Sequence, residues 1–429
     1  MITVIGTGTG TPLAADCLRA LSEATLVVGG RRHLQEAAAE TGLPERVSRV
    51  VLGPLAPALD VIARHRAEEG GAGRVVVLAS GDPGLFGIVR ALAGRFGPGA
   101  LDVRPAAPSV AVAFARIGLP WDDAVVVSAH GRDLRTAVNV CRAHPKVAVL
   151  TGPGAGPAEL GTALADSGPP RTLVVASALG DPDGERVEHV SPADAAARVW
   201  PEPLSVVLCL DDARARAHAP VPRTVAGRGP GPARWALDEE EFAHRDSMIT
   251  KFEVRALALA RLGPRTGDLV WDVGAGSGSV AVECARFGAA AVAVEKSPDG
   301  VGRIRANALA HGVDVRTVHG SAPAALDRLP DPDAVFVGGG GREVPAIVTA
   351  CARRARRTVV VSVAALDRVG AVREALSSAG FATGGVLLHS SRLAPLPGEV
   401  TRLAGTNPVF LLWGDRPSAD PHPLRGANQ

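Results

Sequence analysis

The chain has 429 residues, 46% of them hydrophobic, and 46 basic against 44 acidic side chains leave a formal net charge of +2. That length exceeds what one hydrophobic core ordinarily organises and predicts two domains. So even a charge balance argues against a general nucleic-acid binder, which carries a basic excess or a basic run, and no apolar stretch approaches the eighteen or so residues of a membrane span. The cations are nearly all arginine, with Lys146, Lys251 and Lys296 the only lysines. This fits either genome composition or sites that grip carboxylates bidentately. The five cysteines, Cys17, Cys141, Cys209, Cys284 and Cys351, are odd in number and form no CxxC pair. They read as small buried residues in a reducing compartment. The first ten residues form a strand running into glycines, not a basic and then apolar leader, so a cytoplasmic protein is expected. No metal-binding signature is present.

In chain order, residues 2–5 predict an apolar strand that runs into GTGTGTP, followed by a helix over 12–23 whose first turn suits Pro12. Further strands are predicted at 25–28, 74–79, 101–103, 124–127, 146–150, 173–176 and 204–210. Most are separated by helix-length segments, which predicts crossover connections and largely parallel sheet. Two clusters at strand ends carry loop chemistry, Ser80-Gly81-Asp82-Pro83-Gly84 and Ser128-Ala129-His130-Gly131-Arg132. Loops at the carboxyl ends of strands are where α/β sheets bind ligands. Asp82 precedes a proline, a position that suits an Asx turn as well as a ligand contact. His130 and Arg132 offer contacts to a substrate.

Residues 213–235, ARARAHAPVPRTVAGRGPGPARW, are rich in proline, glycine and arginine and read as a linker between domains at 1–212 and 236–429. After the acidic ALDEEEF, residues 251–262 have good helix formers, with Ser247 or Thr250 available as a cap. The stretch from Asp268 to Lys296, DLVWDVGAGSGSVAVECARFGAAAVAVEK, then reads as strand, glycine turn, helix and strand. Gly274, Gly276 and Gly278 bring bare backbone amides at a helix N-terminus close to a ligand. The next strand ends in Glu295, whose carboxylate can accept hydrogen bonds from both hydroxyls of a ribose. A dinucleotide fingerprint would place its third glycine where Ser279 stands, and the GK[ST] ending of a phosphate loop is absent.

With Asp272 in front, DVGAGSG resembles motif I of the Rossmann-like methyltransferases, which bind S-adenosylmethionine. Further strands are predicted at 313–318, 334–337 and 358–363. Four glycines, 338–341, come straight after the second of these and suit a wall free of side chains at a ligand cleft, Gly338 and Gly339 foremost. Two last runs, 385–389 and 408–413, are separated by a non-helical segment with Pro395, Pro397 and Gly398. They predict a terminal antiparallel hairpin, as in the methyltransferase version of the fold. A small-molecule or RNA methyltransferase joined to an unrelated domain is the alternative, and a dehydrogenase a third reading. RNA modification predicts a basic groove and an NPPY-like motif, and hydride transfer predicts the missing third glycine.

The two halves together resemble the fused cobalamin-pathway enzymes of the precorrin-6Y C5,15-methyltransferase (decarboxylating) family, also called the CobL family. VIGTGTG, VVGGRRHL, VLASGDPGLFG, PSVAVAFARIGLPWDD and SAHGRD are similar to a tetrapyrrole methylase domain of the CbiE type. HRDSMITKFEVRALALARL, VWDVGAGSGSVAVE, AVEKSPDG and VFVGGGG are similar to the CbiT type. The resemblance implies an α/β chain with a tetrapyrrole methylase fold of two α/β subdomains and a C-terminal Rossmann-like class I methyltransferase fold. It implies two S-adenosylmethionine sites and a corrinoid precursor methylated at C5 and C15, with the ring C acetate lost as carbon dioxide. Carried over, Gly6, Gly8, Gly10, Ser80, Gly81, Asp82 and Pro83 fall on the first cofactor site. Asp272, Gly274, Gly276, Gly278 and Glu295 fall on the second. Where the family commonly has Gly-Asp-Ala after the next strand, this chain has Gly320-Ser321-Ala322, leaving Ser321 to face the adenine without a charge. His244, Arg245 and Lys251, just before the motif I strand, are placed to bind substrate carboxylates. The partners implied are a tetrapyrrole and further copies of the chain, with no nucleic acid and no membrane.

Overall fold

Near-continuous runs of β-branched residues, such as Val75 to Val77 and Val359 to Val361, are the signature of strands covered on both faces, and they lie on interior strands of the sheets. A computed structural model describes residues 1–417 apart from 9, 11, 42–46, 70–72, 166–167, 202–204, 216–224, 230 and 246–248, and the side chains of 40 and 41. Much of the predicted linker and the predicted cap Ser247 lie outside the described residues. The chain divides into two compact units: Met1–Arg132 with Lys146–Thr162 and Arg171–Gly227, and Asp133–Pro145 with Ala163–Pro170 and the chain from Arg228 onward.

In the first unit, β1 (Ile2–Thr7), β2 (Leu26–Gly29), β3 (Ser48–Val51), β4 (Val75–Ser80) and β5 (Leu101–Arg104) make one sheet in the order β3-β2-β4-β1-β5. All its pairings are parallel. A second sheet comprises β6 (Val125–Ser128), β7 (Lys146–Leu150), β8 (Thr172–Ser177), β9 (Arg186–Val190) and β10 (Ser205–Leu210), ordered β6-β7-β10-β8-β9. Only β6 and β7 pair in parallel here; β10 runs antiparallel to β7 and β8, and β9 antiparallel to β8. The expectation of largely parallel sheet therefore holds for the first sheet of this unit and fails for the second. Helix-length spacing sets the length of a connection but not the direction in which the next strand inserts. Strands β3 and β9 escaped prediction because they are short edge strands with charged residues interrupting the apolar pattern. The helix predicted from Pro12 begins at Ala15, since Ala14 before it is still extended.

The second unit carries β11 (Leu269–Val273), β12 (Ala290–Glu295), β13 (Val315–His319), β14 (Ala334–Val337), β15 (Thr358–Val363), β16 (Ala382–Leu388), β17 (Ser391–Leu396), β18 (Val400–Gly405) and β19 (Val409–Asp415). Its seven-stranded sheet has the order β13-β12-β11-β14-β15-β19-β16, parallel through β15. Strand β19 is antiparallel to both of its neighbours. This is the Rossmann-like arrangement with the antiparallel terminal pair. The stretch between that pair is itself a hairpin, β17 with β18, and Pro395 sits opposite Thr401 in it. A two-stranded ribbon has only edges, where a proline is tolerated. Trp271, Val335, Val359 and Leu376 are among the fully buried residues of the core on one face of the sheet.

Candidate active site

Five parallel strands bring their carboxyl ends to one edge of the second unit, and most of the residues predicted for this half arrive there together. A cavity of about 620 Å³ at that edge is lined by Gly274, Gly276, Glu295, Ser321, Gly338 and Gly339, and also by Arg245 and Lys251. Its size falls within the range of small-molecule sites. The glycine turn is closed by the Gly274 amide donating to the Val294 carbonyl at 2.9 Å and the Gly278 amide donating to the Ala275 carbonyl at 2.7 Å.

The three glycines of the turn have different physical reasons. All have positive φ, at 73°, 59° and 74°. A Cβ on Gly274 would meet the Gly339 Cα at 2.8 Å, so this glycine lets the loop after β14 cross the turn. A Cβ on Gly278 would meet Ile304 at 2.9 Å, and this residue does not line the cavity. A Cβ on Gly276 would meet no protein atom within 4 Å. That open space, beside the amides of a helix N-terminus, fits the ligand that the motif implies.

Glu295 is buried, and its two carboxylate oxygens accept the amides of Gly276 and Ser297, each at 2.9 Å. The carboxylate is thereby held in place, and each oxygen keeps a lone pair for a hydroxyl. A Cβ on Gly300 would meet the Glu295 Cγ at 2.5 Å, so this third residue of the helix Pro298–Ala310 admits the carboxylate. Asp272 does not line the cavity. It lies fully buried beneath the turn, accepts the Ala281 amide at 3.0 Å, and burial pushes its carboxyl up to about 7.

Residues ahead of the motif form a strap pinned by buried polar groups. The Leu237 amide donates to Glu283 at 2.7 Å, while Arg255 donates to the carbonyls of Leu237 and, at 2.7 Å, Thr250. Arg255 and Glu283 are both fully buried, and burial lowers the guanidinium's pKa. The Asn307 side chain accepts the Ala243 amide at 2.7 Å and donates to the carbonyls of Ala243 and Ser277 at 3.0 and 2.8 Å. One side chain thus ties the strap to the glycine turn. This delivers Arg245, Ile249, Thr250 and Lys251 to the cavity, whereas His244 is exposed and does not line it. Lys296, Arg303, Glu343 and Ser362 also line it and were missed, because residues remote in sequence converge only through the sheet order.

In the first unit the predicted loops also meet. The Gly81 amide donates to the Thr7 carbonyl at 2.9 Å, and the Gly81 carbonyl accepts the Ala106 amide at 3.2 Å. A Cβ on Gly6 would stand 2.0 Å from the Gly81 oxygen, and one on Gly10 2.7 Å from the Gly180 Cα. Gly8, at φ 81°, leaves room for His33 and Arg32. The ring of His33 hydrogen-bonds to the Ser80 hydroxyl at 2.8 Å, and burial first, then the Arg32 charge, lowers its pKa. His33 was another residue missed. Asp82 accepts the Gly84 amide at 2.8 Å across Pro83, forming the Asx turn. Arg132 stacks over Phe86 at 5.4 Å from the ring centroid, which joins the loop after β6 to the Asp82 loop. His130 packs against Gly152, where a Cβ would lie 2.8 Å from its Nδ1.

Comparison with known proteins agrees with these features. Residues 1–196 match the tetrapyrrole (corrin/porphyrin) methylases, and residues 240–411 match the precorrin methyltransferase domain. A Sinorhizobium protein named precorrin-6Y C(5,15)-methyltransferase (decarboxylating) is 39% identical over 351 residues, covering 80% of this chain and 79% of its own. A Pyrobaculum calidifontis protein named probable cobalt-precorrin-6B C(15)-methyltransferase (decarboxylating) is 36% identical over 183 residues, covering 41% of this chain and 93% of its own. Among solved structures, precorrin-6Y C5,15-methyltransferase from Geobacter metallireducens is 32% identical and covers 42% of this chain and 96% of its own, with a TM-score of 0.39.

A tetrapyrrole methylase and a Rossmann-like methyltransferase unit on one chain define a fused methyltransferase enzyme, a class that draws its methyl groups from S-adenosylmethionine. Within that class, the chain belongs to the precorrin-6Y C5,15-methyltransferase (decarboxylating) family. Among the described residues, no helix is long and apolar enough to cross a membrane.

Proposed function

We propose that this chain methylates precorrin-6Y at C5 and C15 and removes the ring C acetate as carbon dioxide, giving precorrin-8 in the cytoplasm. The observation that carries this reading is the cavity in which a glycine turn and a held carboxylate adjoin Arg245, Lys251, Lys296 and Arg303. A nucleoside fits the first part. A polycarboxylate macrocycle fits the second, since it needs several cations at one mouth. Each unit binds its own S-adenosylmethionine, the second through Gly276, Glu295 and Ser321 and the first through the loops at Gly6 to Gly10 and Ser80 to Pro83. Bound there, S-adenosylmethionine supplies an electrophilic methyl group by in-line displacement at its sulfonium.

The residues of the second unit mainly align the substrate, and alignment supplies up to about 7 to 11 kcal/mol of a barrier. Arg245 and Lys251 grip carboxylates, and Gly338 and Gly339 form a wall free of side chains against which a flat ring lies. Decarboxylation belongs to this unit, which matches the precorrin methyltransferase domain, and a relative matched over only 183 residues, about the length of one unit, is itself named as decarboxylating. His130 and Arg132 contact the substrate in the first unit. The chain works as a homo-oligomer and takes no nucleic acid. Mass spectrometry of the product formed from precorrin-6Y and methyl-labelled S-adenosylmethionine tests the reading. Two labelled methyl groups and loss of one carbon dioxide are expected; a product with neither change refutes it.

A further inference from the structure

Loss of carbon dioxide from an acetate side chain leaves a chemical problem that gripping and alignment do not solve. The bond between the methylene and carboxyl carbons breaks, and its electron pair passes into the macrocycle, where it neutralises the positive charge that methylation at a meso carbon has introduced. The direct product carries an exocyclic methylene. A methyl group appears at that position only when a proton is added to the methylene carbon and another leaves a different carbon of the macrocycle. The change is an isomerisation with no net proton consumed, so a single group at the site that gives one proton and takes the other can carry it.

We infer that Glu343 is that group. Six charged side chains line the cavity: Arg245, Lys251, Glu295, Lys296, Arg303 and Glu343. Four are cations suited to the carboxylates of the substrate. Glu295 has both oxygens engaged by backbone amides. The Glu343 carboxylate makes no hydrogen bond or ion pair with any described residue, and Glu343 is exposed where it lines the cavity.

Its place in the sheet points the same way. The glycine turn follows β11, Glu295 follows on β12 to one side, and Glu343 follows β14 on the other. A nucleoside held toward Glu295 directs its reactive end across the turn, toward the loop of Gly338 to Glu343. That loop is fixed there: the Gly338 amide donates to the Val273 carbonyl at 2.9 Å, and the Glu343 amide donates to the Gly340 carbonyl at 2.9 Å. Glu343 then lies on the side of the cavity toward which the methyl group is directed.

This inference rests on the function proposed above, and the test separates the two. Full-length wild type, Glu343→Gln and Glu343→Asp are given precorrin-6Y and S-adenosylmethionine, and the products are resolved by chromatography with absorption and mass detection. Removing a general acid and base costs about 10² to 10⁴-fold. Final product from Glu343→Gln is therefore expected at least 100-fold more slowly. A species of the product's mass but different absorption should accumulate, and Glu343→Asp should recover part of the rate. Binding of S-adenosylhomocysteine by Glu343→Gln reports folding of the site and is expected to match wild type. If Glu343→Gln makes the final product at the wild-type rate, or loses cofactor binding along with activity, the proton-transfer role is overturned. A wild type that releases no carbon dioxide overturns the function and this role together.

Discussion

Gly274 and Gly276 are two residues apart in the motif, yet they answer to different constraints. The first is demanded by the protein, because a side chain there would strike the Gly339 backbone. The second faces open space, so its side chain would meet only the ligand. Replacing Gly276 by asparagine, which tolerates positive φ, should cost no more than about 1 kcal/mol of stability. It should nevertheless close the second cofactor site. Calorimetry with S-adenosylhomocysteine is expected to give two sites per chain in the wild type and one in Gly276→Asn. A variant that still binds two would show that the ligand does not pass this glycine. The pattern of glycines and the acid closing the next strand were legible in the sequence. The division of labour among the glycines was not, since it depends on which loop crosses above each one.

At the scale of elements, the hairpin of β17 and β18 is held to the strap by one arginine. Arg392 makes hydrogen bonds of 2.7 and 2.8 Å to Glu239 and of 2.7 and 3.0 Å to Glu253, at the start of the helix Phe252–Leu262. Arg392 holds the Glu239 carboxyl well below the usual carboxylate range, at about 2. A depressed carboxyl contributes stability above its unfolded value of about 4.5, and that contribution is lost as pH falls toward about 2. Glu239→Gln is therefore expected to destabilise the second unit by about 1.5 to 3 kcal/mol at pH 7, the range for hydrogen bonds to charged groups. Urea unfolding at pH 7 and pH 3 checks this: the gap between variant and wild type should narrow at the lower pH. An equal gap at both would mean that the lost contacts are not those of the ionised pair. Nothing in the local pattern around Arg392 announces a partner 153 residues away.

For the molecule as a whole, that same hairpin presents Leu393 and Leu403 opposite each other, 76% and 67% exposed. An isolated two-stranded ribbon is marginal in water, and apolar side chains paired on its surface mark a contact face. This supports the homo-oligomer proposed above. Light scattering on the wild type should report more than one chain per particle, and Leu393→Lys with Leu403→Lys should report a smaller particle that still binds S-adenosylhomocysteine. A wild type that runs as a single chain at all concentrations would refute the oligomer. The Pyrobaculum calidifontis relative matches 183 residues, 41% of this chain, and these make up 93% of that protein.

The sequence by itself determined the class of each half, because glycine turns, strand-end acids and β-branched runs act through local geometry that the order of residues already contains. The acid closing β12 pointed to a ribose, the likeness to a methyltransferase motif to a ligand without phosphate, and the last two runs to the antiparallel terminal pair. Strand direction in the second sheet of the first unit was decided only in three dimensions, since a connection of a given length can enter a sheet from either end. The strap that delivers Arg245 and Lys251 was decided there too. Its pins, Glu283, Arg255 and Asn307, are polar residues on helices, and they acquire partners only when the core beneath them buries them and leaves each hydrogen bond to be made within the protein. Glu343 belongs to the same class of result: an unremarkable acid after a glycine run, brought to the cavity by the position of β14 beside β11.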